Sequence, residues 1–571
     1  MQFDLQYRPE EPLVPRELRL ECDERMAANG TVLKAPEPQA LDALIEQLRT
    51  LGVEAVAICF INAYANDAHE REVAQWIIER LPEVYVCTGT DLTREWYEYE
   101  RACTACANAF VGPQMGRYAH ALEAALQAGG FSGRSFFMGS GGGAISLAQA
   151  ARQPIRLVES GPVGGLVGAA AYARALGLAN VVALDIGGTT AKCALIKDGG
   201  FDVSSTFWIG GYERGMPIRS SIIDIVEVGA GGGSIAFVDE LGRMHVGPRS
   251  AGSRPGPVAY GRGGIEPTVT DANVVLGRID PENFLGDGMH LDAQAIEATM
   301  HERLVQPLRR ATNCRDEVNG QENDTDYDLA PLAAGVLTVS SVKMAGAIRK
   351  VTVERGEDPR DFTLLAYGGG GPLHASELAR EIGIPHIVVP PRAGVFAAFG
   401  MLFADMRNDA TCTFLEPLED EVMPRLRSTC EALQEEAKAG LGDRCTELSP
   451  DISYSAELRY RGQMHSLRMP IDPAQDVATL RQRFEALYTR RFGQASPRSP
   501  AEFVVLVATA SAGTPTPSLQ PAVSAQRLVP DTPSSADIPV QTRHVYLGDP
   551  ARWLEVPIYG SIASGVERGA G

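Results

Sequence analysis

The chain has little lysine, no long apolar run and none of the commonest catalytic signatures, and each absence narrows what it can do. Six Lys stand against 46 Arg, a compositional bias of the genome rather than a site. With 72 acidic residues against 52 basic ones, the formal net charge is −20. That balance argues against non-specific nucleic-acid binding, and no basic, aromatic-rich stripe appears. It leaves room for a nucleotide, because a local cluster of N–H groups binds phosphate whatever the total charge. No stretch reaches the roughly 18 consecutive apolar residues of a membrane span. The opening MQFDLQYRPEEPLVPREL has no basic n-region and no apolar h-region, so it does not read as a signal peptide. There is no G-x-x-x-x-G-K-[ST], so this is no P-loop enzyme, and there is no G-x-S-x-G and no H-E-x-x-H. The expectation is a soluble, cytoplasmic protein without membrane or nucleic-acid partners.

Cysteine is scattered: ten residues over 571, which in a large unsignalled chain read as reduced thiols. Cys103 and Cys106 form a C-x-x-C, but they lie in RACTACANAF, a helical pattern. No second Cys or His pair follows at zinc spacing, so two small buried helix residues is the favoured reading.

What is present is a set of glycine-rich turns, organised around residues 181–197, VVALDIGGTTAKCALIK. Val181 to Leu184 make a short apolar run that reads as a buried strand, and Asp185 sits at its end. Gly187 and Gly188 permit a tight reversal, Thr189 and Thr190 follow, and residues 191–196 read as the returning strand. Backbone N–H groups in such a turn form an anion-binding concavity. An Asp beside it can hold Mg²⁺, which keeps several waters and needs only one or two carboxylates. Two further turns share the style. Residues 222–239 carry Gly229, Gly231, Gly232 and Gly233 between two apolar segments. Residues 361–383, DFTLLAYGGGGPLHASELAREIG, read as strand, four glycines (Gly368, Gly369, Gly370, Gly371), Pro372 at a helix start, then helix.

Length and composition allow about three or four domains with large cores. Residues 36–52 hold an amphipathic helix with Leu41, Leu44, Ile45 and Leu48 on one face. Strands at 53–61 and 84–87 alternate with a helix at 67–81, an α/β pattern. Helical patterns cover 94–117, with a continuation towards 128, and 329–354, 417–441 and 474–492. Residues 453–471 read as a hairpin and AEFVVLVATASAG as a strand. Residues 246–277 read as a long irregular Gly/Pro loop, 310–328 as an exposed acidic loop, and 514–540 as a Pro/Ser/Ala linker.

The first and last glycine turns resemble those of the actin-like, sugar-kinase and heat-shock ATPase superfamily. The ordered motifs VESGPVGGLVGA, LDIGGTTAKCALI, DIVEVGAGGGSIAFVD, SAGSRPGPVAYGRGG, EPTVTDANVVLGR, ERGEDPRDFTLLAYGGGGPLH and PPRAGVFAAFGM look like the hydantoinase A/5-oxoprolinase family, over residues 5 to 560. The resemblance implies an α/β fold: actin-like ATPase (ribonuclease-H-like) lobes with a mixed α+β C-terminal domain. It implies three stretches, 1–100, 101–409 and 410–571. It also implies ATP and Mg²⁺ as cofactors, a B-type hydantoinase subunit as partner in a hetero-oligomer, and ATP-dependent hydrolysis of a cyclic amide. Phosphoryl transfer to the carbonyl oxygen would supply the leaving group that amide resonance denies. A ketone carboxylase subunit, or an inactive fragment, is the alternative.

By that analogy Asp185 holds Mg²⁺, and Gly187, Gly188, Thr189 and Thr190 cradle phosphate. The Gly368–Gly371 turn lies against the nucleoside. Gly231, Gly232 and Gly233 serve substrate or phosphate, with Glu227 near by, and His374, alongside His465, is an acid–base candidate. Two departures stand out. The family's opening V-D-V-G-G-T-F-T-D hairpin, which would be the first phosphate motif, has no counterpart here, and the family normally continues past the final segment. The residues given would on that basis make a poor ATPase alone. A smaller departure is Lys192, where many members have Asp.

Overall fold

The computed structural model describes residues 11–211, 215–284, 289–316, 328–442, 449–519, 541–548 and 551–558. Contacts divide the chain into two units, each assembled from three segments: 1–167, 202–224 and 401–516 in the first, and 168–201, 225–400 and 517–571 in the second. This partition by contacts differs from the three consecutive stretches read along the sequence.

The second unit is built on a five-stranded sheet. Its strands are β1 (Asn180–Ile186), β2 (Ala191–Lys197), β3 (Val226–Val228), β4 (Thr363–Tyr367) and β5 (His386–Val388). The spatial order is β3-β2-β1-β4-β5. β1, β2 and β3 pair antiparallel, while β4 lies parallel to both β1 and β5. An antiparallel meander followed by parallel strands is the ribonuclease-H-like order of an actin-like ATPase lobe, as expected. β1 is central, which explains its unbroken apolar run: Val181, Val182, Ala183 and Leu184 are at most 1% exposed, as in strands covered on both faces. Two helices pack on it, α1 (Leu329–Val351) and α2 (Gly371–Ile382). Their Met344, Ala345, Ile348, Ala375 and Leu378 join Val182, Leu184, Leu364 and Ala366 in one core. Each such Val or Leu contributes about 1.5–3 kcal/mol on burial.

The helical stretch Leu329–Arg355 is long and apolar enough, by length and composition, to cross a membrane, which the run-length reading did not anticipate. Its Leu332, Val336, Leu337, Met344 and Ile348 are buried in the unit's core, and interleaved Ala, Gly and Ser let it pack closely there.

The first unit contains a six-stranded sheet in the order Leu467–Ile471, Asp451–Tyr460, Ala501–Ala512, Met406–Pro417, Ala144–Ser146, Phe136–Met138. Helices Met423–Ala439 and Val477–Phe492 cover one face through Leu426, Leu433, Leu480 and Phe484. A separate parallel pair, Ala55–Ile58 with Tyr85–Thr88, packs with helices Pro38–Leu51 and Ala68–Arg80. Glu98–Ala128 is one continuous helix.

Several expectations need correction. Strand Met406–Pro417 and the hairpin Val203–Ile209/Met216–Ile223 were not foreseen. Of the stretch read as an irregular loop, much is regular: Met244–Ser250 pairs with Ser234–Val238, and Val269–Val275 is helical. The start of the expected acidic loop is the end of helix Gln306–Asp316, and 317–327 lie outside the described residues. Of the expected linker, residues 514–519 carry no regular structure, and 520–540 lie outside the described residues. His465 sits, exposed, between two strands of the first unit.

Candidate active site of the second unit

The three glycine turns at 187–188, 229–233 and 368–371 fall in the second unit and meet at the end of β1. The Gly187 N–H donates to the Thr190 carbonyl at 3.0 Å, closing the reversal into β2. Gly187, Gly188 and Thr189 are exposed. The N–H groups of Gly188 and Thr189 have no partner among the described residues, so the hairpin tip offers two amides to solvent.

The strand register lines up a row of side chains across the sheet. Asp185 pairs with Lys192, Lys192 with Glu227, and Asp185 on its other side with Tyr367. Residues opposite one another share a face, so the row alternates acid, base, acid. Lys192 Nζ lies 3.6 Å from Glu227 Oε1. Burial raises the Asp185 carboxyl above its ordinary value, and the Lys192 charge opposes that shift. Tyr367 is buried against Phe396, ring centroids 5.0 Å apart.

The turn after β3 does not offer free amides, contrary to expectation. Gly231 N donates to Ser234 Oγ (2.9 Å), Gly232 N to the Gly187 carbonyl (3.1 Å) and Gly233 N to the Gly188 carbonyl (2.6 Å). A Cβ on Gly231 would lie 2.7 Å from the Thr189 carbonyl carbon and 2.8 Å from Gly187 O. Gly231, Gly232 and Gly233 therefore brace the Gly187–Thr189 hairpin from behind. At Gly231 and Gly233 a Cβ would run into hairpin backbone, and at Gly232 into Thr270 Oγ1. Thr270 holds this brace: its N–H and Oγ1 both donate to the Gly232 carbonyl, at 2.7 and 2.9 Å. Asp271, in turn, accepts from the N–H groups of Val258, Ala259 and Thr268 and from Thr268 Oγ1. Thr268 and Asp271 form a capping box, a T-x-x-D signal legible in EPTVTDANVV but not used in the sequence reading.

The four-glycine turn divides into packed and open positions. Gly368 has φ +79°, and a Cβ there would stand 2.2 Å from Asp185 Oδ1 and 2.6 Å from the Ile186 carbonyl. Gly370 N donates to that carbonyl at 2.9 Å. Gly371 is the buried first residue of α2. Gly369 is exposed, with nothing within 4 Å of the position a Cβ would take. Open space thus lies beside Gly369, next to the strand end that carries Asp185.

His374, one turn into α2, is 1% exposed, and burial pushes its pKa down to about 4. Its Nδ1 has no hydrogen-bond partner among the described residues. Cys103 and Cys106 are free thiols whose pKa values burial raises, so neither is activated. Among the described residues no group of three or more His, Cys, Asp or Glu could hold a metal by itself.

Residues 101–410 match the hydantoinase/oxoprolinase family, and residues 1–81 match its N-terminal region. The chain belongs to the hydantoinase/oxoprolinase family. It is 32% identical over 569 residues to the caprolactamase subunit alpha of Pseudomonas jessenii, covering 98% of this chain and 77% of that protein. It is 31% identical over 573 residues to the acetophenone carboxylase gamma subunit of Aromatoleum aromaticum, covering 96% and 74%. The crystal structure of ATP-dependent caprolactamase from Pseudomonas jessenii superposes with a TM-score of 0.80 at 31% identity, covering 98% of this chain and 78% of that one.

Proposed function

We propose that this chain is the A-type subunit of an ATP-dependent cyclic-amide hydrolase, working with a B-type partner subunit in a cytoplasmic hetero-oligomer. The observation that carries the reading is the meeting of the exposed Gly187–Gly188–Thr189 tip, Asp185 and the open side of Gly369 at one strand end. The caprolactamase and oxoprolinase relatives supply the substrate class, a lactam or hydantoin ring.

In this reading the amides of Gly188 and Thr189 hold phosphate oxygens, with the Thr190 side chain at the same rim. Gly369 and its neighbours Gly368, Gly370 and Gly371 let a nucleoside lie against backbone. Asp185 fits Mg²⁺ of the kind that keeps its waters and takes one protein carboxylate. An all-protein cage does not fit the donor set. When bound, the ion neutralises phosphate charge during transfer to the amide oxygen. The chain's own part is positioning: β1 and β4 fix Asp185, and Gly231–Gly233 fix the tip. The Lys192 charge opposes the burial that disfavours the ionised form of Asp185, and Glu227 holds Lys192 in the row. His374, neutral and buried near pH 7, steadies the start of α2 rather than exchanging protons with substrate.

The test is phosphate release from ATP by the chain with its B-type partner, on adding caprolactam, 5-oxoproline or hydantoin. Stimulation by one of the rings, without bicarbonate, is expected. A second reading, a ketone carboxylase subunit, is favoured by the acetophenone carboxylase relative. ATP turnover that needs bicarbonate and a ketone, and ignores all three rings, would replace the first reading with the second.

A further inference from the structure

The first unit carries a charged cavity that the proposed ATP chemistry does not use. Period-two alternation builds it. In Met406–Pro417, the side chains of Met406, Ala410 and Phe414 join the core under the helices. Arg407, Asp409 and Thr411 instead line a cavity on the other face. Arg468 lines it from the far edge strand of the same sheet and Arg219 from the separate hairpin, Arg156 and the 139–143 glycine turn from a further side, and Glu95 also borders it.

Two of the four arginines are neutralised. Arg407 forms a bidentate pair with Asp409, at 3.0 and 3.1 Å, and Arg219 contacts Glu95 and lies 3.4 Å from Glu457. The other two are not. Arg156 donates to the Asn408 side-chain oxygen at 2.8 Å and Arg468 to Ser455 Oγ at 2.9 Å. Among the described residues neither has a carboxylate within 4.0 Å. A guanidinium carries five N–H donors in a fixed fork, so most of each fork is uncommitted. Burial lowers the pKa of both, against the opposing charge of Asp409 on each; at Arg468 the neighbouring Arg407 adds to the lowering. Half-buried cations are costly unless directly paired; Asp409 is the main source of counter-charge to both, and it is already engaged by the Arg407 fork.

The cavity is about 60 Å³. One water-sized position takes roughly 10–15 Å³ by the same measure, so the cavity suits about four to six such positions. Acetate or bicarbonate is of that size, and so is phosphate. We propose that the cavity is a binding site for a small oxyanion held between the Arg156 and Arg468 forks. Guanidinium geometry matches the paired oxygens of carboxylate, bicarbonate or phosphate. The site uses first-unit residues alone, so it does not depend on the ATP reading.

The experiment titrates the full chain with sodium acetate, sodium bicarbonate and sodium phosphate against chloride at constant ionic strength, by calorimetry and thermal melting. At least one anion should bind saturably and raise Tm, as any ligand of the native state does. Arg468→Gln and Arg156→Gln should weaken that binding by about tenfold or more, since each removes charge-assisted hydrogen bonds to the anion. Asp185→Asn should leave it unchanged, which separates it from phosphate at the nucleotide site. Arg468→Lys keeps the charge without the fork, and should bind more weakly than wild type even if the Gln variants fail to fold. Tightest binding of acetate or bicarbonate would name a carboxylate-type ligand, and tightest binding of phosphate a phosphate one. The proposal falls if no anion gives a saturable response. It also falls if the response survives intact in folded Arg468→Gln, or disappears in Asp185→Asn.

Discussion

The two proposed anion sites, one in each unit, are built by opposite means. In the second unit the anion-facing groups are backbone amides at the hairpin tip, supported by other backbone: Gly232 and Gly233 donate to the carbonyls of Gly187 and Gly188. In the first unit they are guanidiniums gathered on the polar face of a sheet. A backbone site depends on the absence of side chains, so its weak points are glycines. A side-chain site depends on counter-charge, so its weak points are ion pairs. The contrast can be broken or sharpened by substitution.

The largest effect is expected at Arg219. Arg219→Met removes the guanidinium that Glu95 and Glu457 share, and leaves two buried acids without it. The expected loss is about 3–5 kcal/mol, read by urea unfolding. If Arg219→Met costs no more than Arg468→Gln, paired and unpaired arginines are equivalent and the contrast fails. The pair also has a pH signature. Burial alone would raise the Glu457 carboxyl, but Arg219 and the hydroxyls of Ser205 and Ser466 outweigh it, and its pKa lies below the ordinary 4.5. A depressed carboxylate contributes stability above its unfolded pKa and loses it as pH falls through the folded one. Wild type should therefore lose stability on acidification below about 4.5, and Arg219→Met should show less of that loss.

Next comes Gly368. A Cβ there meets Asp185 Oδ1 at 2.2 Å and sits on a backbone with φ +79°. Left-handed strain of about 1–2 kcal/mol and overpacking of about 1–3 kcal/mol add, so Gly368→Ala should cost about 2–5 kcal/mol in a thermal or urea melt. Gly369→Ala, one residue along in open space, should cost less than about 0.5 kcal/mol. Equal losses at the two positions would erase the distinction between packed and open glycines.

These positions also mark what could be read from the sequence. The hairpin and the four-glycine turn were legible because glycine between a strand and a turn is a local signal. The buried run before Asp185 then placed them at the centre of a sheet. Whether an amide is free was not legible. Gly231–Gly233 look like Gly187–Gly188 in composition, and only the structure shows their N–H groups to be occupied, Gly231 by Ser234 Oγ and Gly232 and Gly233 by the hairpin carbonyls. Strand Met406–Pro417 was missed for a related reason. Its second face, Arg407 and Asp409, is polar yet enclosed, so the apolar alternation that marks a strand is interrupted by charges that pair only in three dimensions. The arginine cavity draws on positions 156, 219, 407 and 468, too far apart in sequence to form a motif. The region 246–277 reads as loop because its glycines and prolines outweigh the T-x-x-D signal of helix Val269–Val275.

The smallest effect on stability, and the most informative in sign, is at Asp185. Burial raises its carboxyl pKa above 3.8, so its contribution to stability is full below 3.8 and is lost as pH rises through the folded value. Asp185→Asn should therefore melt at or above the wild-type Tm at pH ~7, with a flatter pH profile above about 4. A clear drop in Tm would mean that the carboxylate is structural.

The central claim is that a nucleotide lies between the Gly188–Thr189 tip and Gly369, with Asp185 on its metal. It is tested most directly by calorimetric titration of Mg²⁺–ATP into wild type, Gly369→Val and Asp185→Asn, each checked by melting. The account predicts that Gly369→Val keeps its fold but binds at least about tenfold more weakly, because a branched side chain fills the open space. It also predicts that Asp185→Asn binds ATP equally with and without Mg²⁺. Wild-type affinity and wild-type Mg²⁺ dependence in both folded variants would contradict it.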